Sequence, residues 1–428
     1  MKNITLKIFI KGFFLFWVGL MLTTHLSASE FIITVQTDND GNSTDTQFTI
    51  PTHANSEYSY TVDCENDGTN RTTDVEGNFT CNYDVPGTYT IAIENDFPRI
   101  YFNNGGDKKK ILSVEQWGSD AWDSMDMAFY GAENLVINAA DTPDLSNATS
   151  LRGMFYDATN LGNGSGNWNW DISNISSIYS MFRYASSFNK DIGSWDISGI
   201  SLMNVLFQGA SSFNQDIGNW DTSDVTNMYG MFGGANSFNQ DLSDWDFSSV
   251  TSFNGMFNGV PLSISNYDNL LISLNEQSAL DGITFTADAS SYCQGESNRT
   301  ALIEDHAWGF DDLGSNCTFY ISTPNNMSVE SGLTLVGDVY AMDTMAMTQY
   351  SIIGGADGDK FTIDISSGEL NFSTTPNYYA PTDSNGDNVY RVQVRASTDM
   401  ESDVQTIKVT VTNGSNVSIV PIINYLLF

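Results

Sequence analysis

The chain has 428 residues, of which 41% are apolar and 13% are aromatic, so its composition is that of a folded protein and excludes a disordered one. Its 52 acidic side chains outnumber its 16 lysines and arginines, which gives a formal net charge of −36 at pH 7. A protein with that charge repels nucleic acid and anionic membrane surfaces, so neither is expected as a partner.

The N-terminus has the pattern of a secretory signal peptide. Three lysines precede an apolar run at residues 12–22, and small residues lead to a cleavage site after Ala28. The run is shorter than the roughly 20 apolar residues of a membrane span, so cleavage is favoured over an uncut anchor. We therefore predict that residues 1–28 are removed, that no membrane-spanning segment remains, and that the protein is secreted or held at the cell surface.

Two motifs characterise residues 29–110, YTVDCENDG and FTCNYDVPGTYTIAIEND. The alternation of Tyr89, Ile91 and Ile93 within the second motif predicts a half-buried strand. The two motifs resemble the "DGT" turn and the "PGTYT" strand of PKD-type domains. That resemblance implies an Ig-like β-sandwich for this region.

The four cysteines belong to an exported chain, which allows disulfides. Three pairings are possible, and sequence proximity favours Cys64–Cys81 together with Cys293–Cys317. In PKD-type domains the position of Cys64 is usually aromatic and that of Cys81 is often histidine. The resemblance therefore implies that one bridge replaces a side-chain contact there. A metal site is not expected from these cysteines, because their spacings are long and no histidine lies near either pair.

Residues 111–318 contain a repeat with a period of 25 residues. The clearest markers are the tryptophans Trp170, Trp195, Trp220 and Trp245. Within one repeat, apolar residues from Val225 to Ala235 follow a helical spacing, and the segment from Phe213 to Trp220 suits a short strand. The pattern predicts strand, turn, short helix and turn, stacked as an α/β solenoid with the tryptophans in its core.

The run WDTSDVTNMYGMF, followed by GAxSFNQDI, resembles the repeat of BspA-type leucine-rich-repeat surface proteins, which also occurs in mycoplasma lipoproteins. The segment from Leu262 to Phe310 is similar to the piece that often ends such an array. The resemblance implies a leucine-rich-repeat-like solenoid on a secreted or cell-surface protein. It also implies adhesion, the role of some members, and no shared enzymatic chemistry.

Residues 319–414 consist of short strand-like runs that predict a β-sandwich. The order of YSII, KFTIDI, ELNF, VYRVQVRA and IKVTVT is similar to that of bacterial cadherin-like domains, which bind Ca²⁺ through carboxylates near the domain ends. The resemblance implies calcium ligands at Asp383 and Asp387. It places Asp343 and Glu330 near further ligand positions.

Three departures reduce this calcium set. Tyr379 stands where the family has glutamate, Met345 interrupts an Asp-x-Asp element, and Ser397 replaces an aspartate. Ca²⁺ takes six to eight oxygen ligands, and only part of that set remains. These acidic residues can be interpreted either as calcium ligands or as solvated acidic loops. We expect the protein to require no cofactor.

Taken together, the sequence predicts an LRR-like α/β solenoid flanked by two all-β Ig-like sandwiches, with an apolar tail at residues 415–428. Beyond the signal segment, His53 and His306 are the remaining histidines, and neither lies in a catalytic motif. We therefore expect no enzymatic activity.

The predicted function is adhesion or scaffolding at the cell surface, with an extracellular protein or glycan bound on the exposed face of the repeats. The alternative is a non-catalytic, polysaccharide-binding accessory protein. Exposed aromatic side chains aligned on one face would favour the alternative. Buried aromatics beneath a polar outer face would favour adhesion to a protein.

Overall fold

The computed structural model describes residues 30–277, 280–342, 348–399 and 401–413. The predictions for the signal segment 1–28, for the tail 415–428, and for Asp343 and Met345 lie outside the described residues. Within the described ranges, no helix has both the length and the apolarity that crossing a membrane requires.

The N-terminal β region, residues 30–116, contains one large sheet and a two-stranded ribbon. In chain order the strands are β1 (Phe31–Gln36), β2 (Gln47–Ile50), β3 (Ser59–Asp63), β4 (Thr72–Val75), β5 (Phe79–Asn82), β6 (Thr88–Asp96) and β7 (Ile111–Gln116), followed by β8 (Val136–Ile137). The large sheet has the order β4-β3-β6-β1-β7-β8, and β2 pairs with β5. Because β8 lies beyond the N-terminal region, this sheet continues into the first repeat.

The repeats occupy residues 117–262 and contain no α-helix, so the predicted α/β solenoid is wrong. Gly230 and Gly234 have φ values of +60° and +75°, which a right-handed helix cannot include. Backbone N–H groups bond to the next repeat rather than to the residue four positions earlier. Phe207 N–H, for example, donates to the carbonyl oxygen of Met231 at 2.8 Å. The chain forms a series of turns joined by this backbone ladder.

The apolar residues of the repeats nevertheless point inward, as their spacing predicts. The four periodic tryptophans are at most 4% exposed. The indole N–H groups of the last three bond to the preceding repeat, as in the 2.9 Å bond from Trp245 to the carbonyl of Ile217. Phenylalanines of successive repeats stack, with ring centroids of Phe207 and Phe232 5.7 Å apart. The core position predicted for the tryptophans is confirmed.

A short α/β segment closes the repeats at their C-terminal end. It contains α1 (Ile264–Gln277), β9 (Thr284–Ala287), α2 (Glu296–His306) and β10 (Gly309–Asp312). β9 and β10 pair in parallel. The backbone N–H of Phe257 donates to the carbonyl of Thr286 at 3.1 Å, so β9 extends the ladder of the repeats.

The C-terminal β region, residues 319–413, has its own buried core. Its strands are β11 (Tyr320–Ile321), β12 (Asn326–Glu330), β13 (Leu335–Asp338), β14 (Ala341–Met342), β15 (Gln349–Gly354), β16 (Phe361–Ile363), β17 (Glu369–Phe372), β18 (Val389–Ser397) and β19 (Ser402–Thr412). They form sheets with the orders β12-β19-β18-β15, β13-β17-β16 and β11-β14. The described chain is thus mostly small, open β-sheets with two α-helices, which corrects the predicted fold class.

Candidate binding face of the repeats

One face of the repeats is built by short extended segments that lie side by side. Parallel bridges join Ser150 to Ser177, Ser177 to Leu202, and Leu202 to Asn227. Side chains of an extended segment alternate between its two sides. Met203 and Met228, one position after the bridged Leu202 and Asn227, are fully buried, whereas Tyr229, two positions after Asn227, is exposed. The bridges therefore align outward-pointing residues of successive repeats.

Large apolar side chains are exposed on this face. Within residues 117–262, the exposed ones are Tyr179, Tyr184, Leu202 and Tyr229, at 38–48% exposure. Tyr130 and Tyr156 are half-buried and join the same group through ring contacts. We call the surface formed by Tyr130, Tyr156, Tyr179, Arg183, Tyr184, Leu202 and Tyr229 the tyrosine face. The period of 25 residues does not reveal it, because Tyr179 and Tyr229 are two periods apart with Asn204 between them, and Tyr156 and Tyr184 occupy different positions of their repeats.

Three tyrosine rings on this face pack on one another. The ring centroids of Tyr130 and Tyr156 are 4.4 Å apart and nearly parallel, and those of Tyr156 and Tyr184 are 5.8 Å apart. Tyr184 also lies over Gly209, where a Cβ atom would approach the ring to 2.2 Å. Gly209 therefore has to be glycine both for this contact and for its φ of +73°. The rings are held in place before any ligand binds.

Arg183 lies between two of these rings. Its guanidinium carbon is 5.1 Å from the ring centroid of Tyr156 and 5.0 Å from that of Tyr184, within the range of cation–π attraction. Burial opposes its charge, but the Tyr184 hydroxyl and the neighbouring tyrosines outweigh burial and raise the pKa of Arg183. The side chain therefore remains a cation at any physiological pH.

The asparagine ladder of the repeats has a structural role. The Oδ1 atom of Asn189 accepts the backbone N–H of Asn214 at 2.9 Å, and Asn214 does the same for Asn239 at 2.8 Å. The end of this ladder is covered by the C-terminal β region, since Gln393 Nε2 donates to the carbonyl of Asn239 at 2.9 Å. The ladder is therefore part of the scaffold rather than a second free binding face.

The cysteines lie in two disulfides. Cys64 is bonded to Cys81 and Cys293 to Cys317, with Cα–Cα distances of 5.7 Å and 5.1 Å. These are the pairs that the sequence favours. The first links the end of β3 to β5, and the second joins the segment before α2 to the chain that enters the C-terminal β region.

The residues named as calcium ligands are not assembled into a site. Asp383 and Asp387 share one loop, where Asp383 Oδ2 accepts the backbone N–H of Asp387 at 2.8 Å and Asp387 Oδ1 accepts that of Val389 at 2.7 Å. Glu330 is exposed at the end of β12. Among the residues with a described structure, no three acidic, histidine or cysteine side chains are grouped to hold a metal ion. Asp343 lies outside the described residues, and calcium binding by this set stays a prediction.

Comparisons with known proteins place the repeats near one family. The model described as "Mycoplasma protein of unknown function, DUF285" matches residues 105–182 and 167–269, less than half of the chain. The resemblance of the repeats to a mycoplasma family is thus confirmed, whereas the leucine-rich-repeat and PKD-type assignments are not. No curated protein matches the chain.

Among solved structures, the chain is similar to cadherin fragments. Protocadherin Gamma B2 extracellular cadherin domains 3-6 match at 15% identity with a TM-score of 0.18, over 22% of this chain and 21% of that one. Drosophila N-cadherin EC1-4 matches at 17% identity with a TM-score of 0.18, over 24% of this chain and 28% of that one. Drosophila N-cadherin EC1-3 matches at 19% identity with a TM-score of 0.18, over 24% and 37%. The chain spans well under two thirds of each, and TM-scores this low define neither its fold nor its function.

Proposed function

We propose that this chain is an exported, non-enzymatic adhesion protein that binds an extracellular protein through the tyrosine face. The observation that carries the proposal is the exposure of Tyr179, Tyr184, Leu202 and Tyr229 on one face, while the other large apolar side chains of the repeats are covered. Contiguous exposed apolar surface on a folded protein is typical of an interaction site. The two disulfides support a place outside the cytoplasm.

Exposed aromatic side chains on one face are the feature expected of a glycan-binding protein, but the contacts among three of these rings and Arg183 favour a protein as the partner. Tyrosine and arginine are enriched among the residues that contribute most to protein interfaces. Tyr130 and Tyr156 stack face to face, Tyr184 meets Tyr156 at a tilted angle, and the Arg183 guanidinium lies over the rings of Tyr156 and Tyr184, so part of each ring surface is already covered. Rings fixed in this way lose little conformational entropy on binding.

A second candidate, a polysaccharide-binding accessory protein, is favoured by a different pair of residues. Tyr179 and Tyr229 are exposed on the same face, and neither ring packs on another ring of the described residues. Free aromatic faces are what a sugar ring stacks on. The buried tryptophans take no part in such a platform, because they lie in the core.

The test is a binding screen of residues 29–428 against extracellular-matrix proteins and a glycan array. The Tyr179→Ala/Tyr229→Ala double variant should lose most of any protein binding that the wild-type chain shows. Tyr379→Ala is the matched control, since Tyr379 is 77% exposed in the C-terminal β region. Binding restricted to glycans would support the second candidate. A protein ligand bound equally by the double variant would rule out the tyrosine face.

A further inference from the structure

Arg183 is a cation without a carboxylate partner. In a chain with 52 acidic residues, no ion pair within the described ranges includes its guanidinium. Its Nε–H group is buried and donates no hydrogen bond within the described residues, and its Nη2 atom donates a single long hydrogen bond of 3.4 Å to the Tyr184 hydroxyl. Most of the hydrogen-bonding capacity of this side chain is therefore unused.

Arg152, on the same face, differs from Arg183 because it has a carboxylate partner. Arg152, in the preceding repeat, is paired with Asp126 at 3.4 Å. Asp157 is a carboxyl group that interacts electrostatically with Arg183, and burial raises its pKa against the opposing effects of Lys108 and Arg183. Unlike Asp126 with Arg152, it forms no ion pair with Arg183 in the part of the chain that the structure describes.

The groups around Arg183 are also donors. Tyrosine hydroxyls donate hydrogen bonds, and those of Tyr156 and Tyr184 belong to the two rings that hold the guanidinium. The ammonium group of Lys108 lies beside Gly131, directly after Tyr130, where an added Cβ atom would approach it to 2.9 Å. A cation, an ammonium group and hydroxyl donors on one surface complement an anion.

We propose that Arg183 determines the specificity of the tyrosine face by binding a carboxylate of an acidic residue in a polypeptide partner. The inference rests on the protein-binding function proposed above. A planar guanidinium accepts a carboxylate in a two-pronged arrangement, and the ring edges of Tyr156 and Tyr184 provide apolar contact on either side of it. A uronic acid could present the same carboxylate, but the rings of Tyr156 and Tyr184 beside Arg183 are already in contact with each other and with the guanidinium.

The experiment is a selection of random 12-residue peptides on residues 29–428, followed by affinity measurement of the enriched peptides by fluorescence polarisation. We expect the enriched peptides to share one Asp or Glu position flanked by apolar residues. Arg183→Gln should weaken binding of such a peptide about 10-fold to 100-fold, the usual loss for a charged hydrogen bond. Arg152→Gln removes the same charge from the same face and should change the affinity less than about twofold.

A double-mutant cycle tests the pairing itself. Replacing the shared acidic residue of the peptide by its amide should cause the same loss, and combining it with Arg183→Gln should cause little further loss. Enriched peptides without a shared acidic position, or peptides bound equally by Arg183→Gln, would overturn the inference. A uronate oligosaccharide that bound in an Arg183-dependent way when no acidic peptide did would also overturn it.

The two proposals fail in different ways. Peptide binding that is lost in Tyr179→Ala/Tyr229→Ala but retained in Arg183→Gln would keep the tyrosine face and refute the role of Arg183. Peptide binding that is unaffected by both variants would refute both proposals. Circular dichroism of each variant checks that the repeats remain folded, so that a loss of binding is not a loss of structure.

Discussion

The Nζ atom of Lys408 lies 2.8 Å from Oδ1 of Asp244, which joins the C-terminal β region to the repeats. The same ammonium group donates to Ser243 Oγ at 3.0 Å and lies 4.0 Å from Oδ2 of Asp241. Arg391 Nη2 binds the other oxygen of Asp244 at 2.9 Å. The side chains of Lys408 and Arg391 are each only 9% exposed, so the repeats and the C-terminal β region meet through a largely buried charge cluster.

Lys408→Met should destabilise the protein by about 2–3 kcal/mol, because it leaves the buried Asp241 carboxylate without its cation. The expected loss of stability is smaller than that for a fully buried ion pair, because Asp244 is 42% exposed. Urea unfolding measures the change. Lys360→Met is the control, since Lys360 pairs with Asp359 at the surface, and it should cost less than about 0.5 kcal/mol. Equal effects of the two variants would show that the cluster does not stabilise the junction.

Acid should weaken the same junction. Burial raises the pKa of Asp244, but Lys408 and Arg391 outweigh burial and hold it below its usual value of 3.8. A lowered folded pKa means that the stabilisation is present above the unfolded pKa and is lost as the pH falls through the folded one. The difference in unfolding free energy between wild type and Asp244→Asn should therefore be constant near neutral pH and shrink below 3.8.

Urea unfolding of both proteins between about pH 6 and pH 2 checks this expectation. Other buried carboxyls, such as Asp403, have raised pKa values, and they affect both proteins equally. Their contributions to the unfolding free energy therefore cancel in the difference between wild type and Asp244→Asn. A difference that stayed constant to the lowest pH would contradict the assigned role of Asp244.

Trp220→Ala should destabilise the protein by roughly 3–5 kcal/mol, because it empties a core position and removes the indole N–H bond to the carbonyl of Ile192. Trp220→Phe refills part of the space and should cost less. Tyr229→Ala, on the tyrosine face of the same repeat, should change stability by less than about 0.5 kcal/mol. Thermal and urea unfolding measure all three, and a neutral Trp220→Ala would argue against the packing of the tryptophans.

The two disulfides should each stabilise the protein by about 2–4 kcal/mol. Their cysteines are 17 and 24 residues apart, so the loop-closure term predicts nearly equal contributions, with the second larger by only ~0.3 kcal/mol. Replacing both cysteines of one pair by alanine and unfolding in urea measures each contribution. Peptide mapping without reduction should find both bridges, and free thiols or crossed pairs would be incompatible with the structure.

Calcium should change the stability of residues 321–413 only slightly. Two carboxylates of one loop that already accept backbone N–H groups leave few oxygens for the ion. Replacing EDTA by about 2 mM Ca²⁺ should raise Tm by a few degrees at most, since weak binding contributes less than about 2 kcal/mol. A much larger shift that Asp387→Ala abolishes would show a complete site.

The sequence predicts which residues of the repeats are buried but not the backbone that buries them. Spacing of Val225, Met228 and Phe232 at three and four residues is typical of a helix, yet a ladder of turns presents the same residues to the core. The signal for turns lies in Gly230 and Gly234, whose positive φ values favour glycine, although Ser180 and Val205 have positive φ at the position that matches Gly230. The spacing of apolar residues could not reveal these turns, because glycine also occurs in loops between helices.

The junction and the tyrosine face were beyond sequence reasoning for a different reason. Lys408 and Asp244 are 164 positions apart and stand among many other charges, so nothing in the chain marks them as partners. The tyrosine face combines different positions of different repeats, such as Tyr156 and Tyr184. Both features depend on how the repeats are placed in space.

Both ends of the backbone ladder are covered by other parts of the chain. At the first repeat, the backbone N–H groups of Phe102 and Asn104 donate to the carbonyls of Ala128 and Tyr130. At the last, Phe257 donates to Thr286 of β9. An uncovered ladder edge would be a template on which further copies could add, as in a fibre. With both edges paired inside one molecule, the ladder of the repeats has no free edge at these two positions on which a further copy could add.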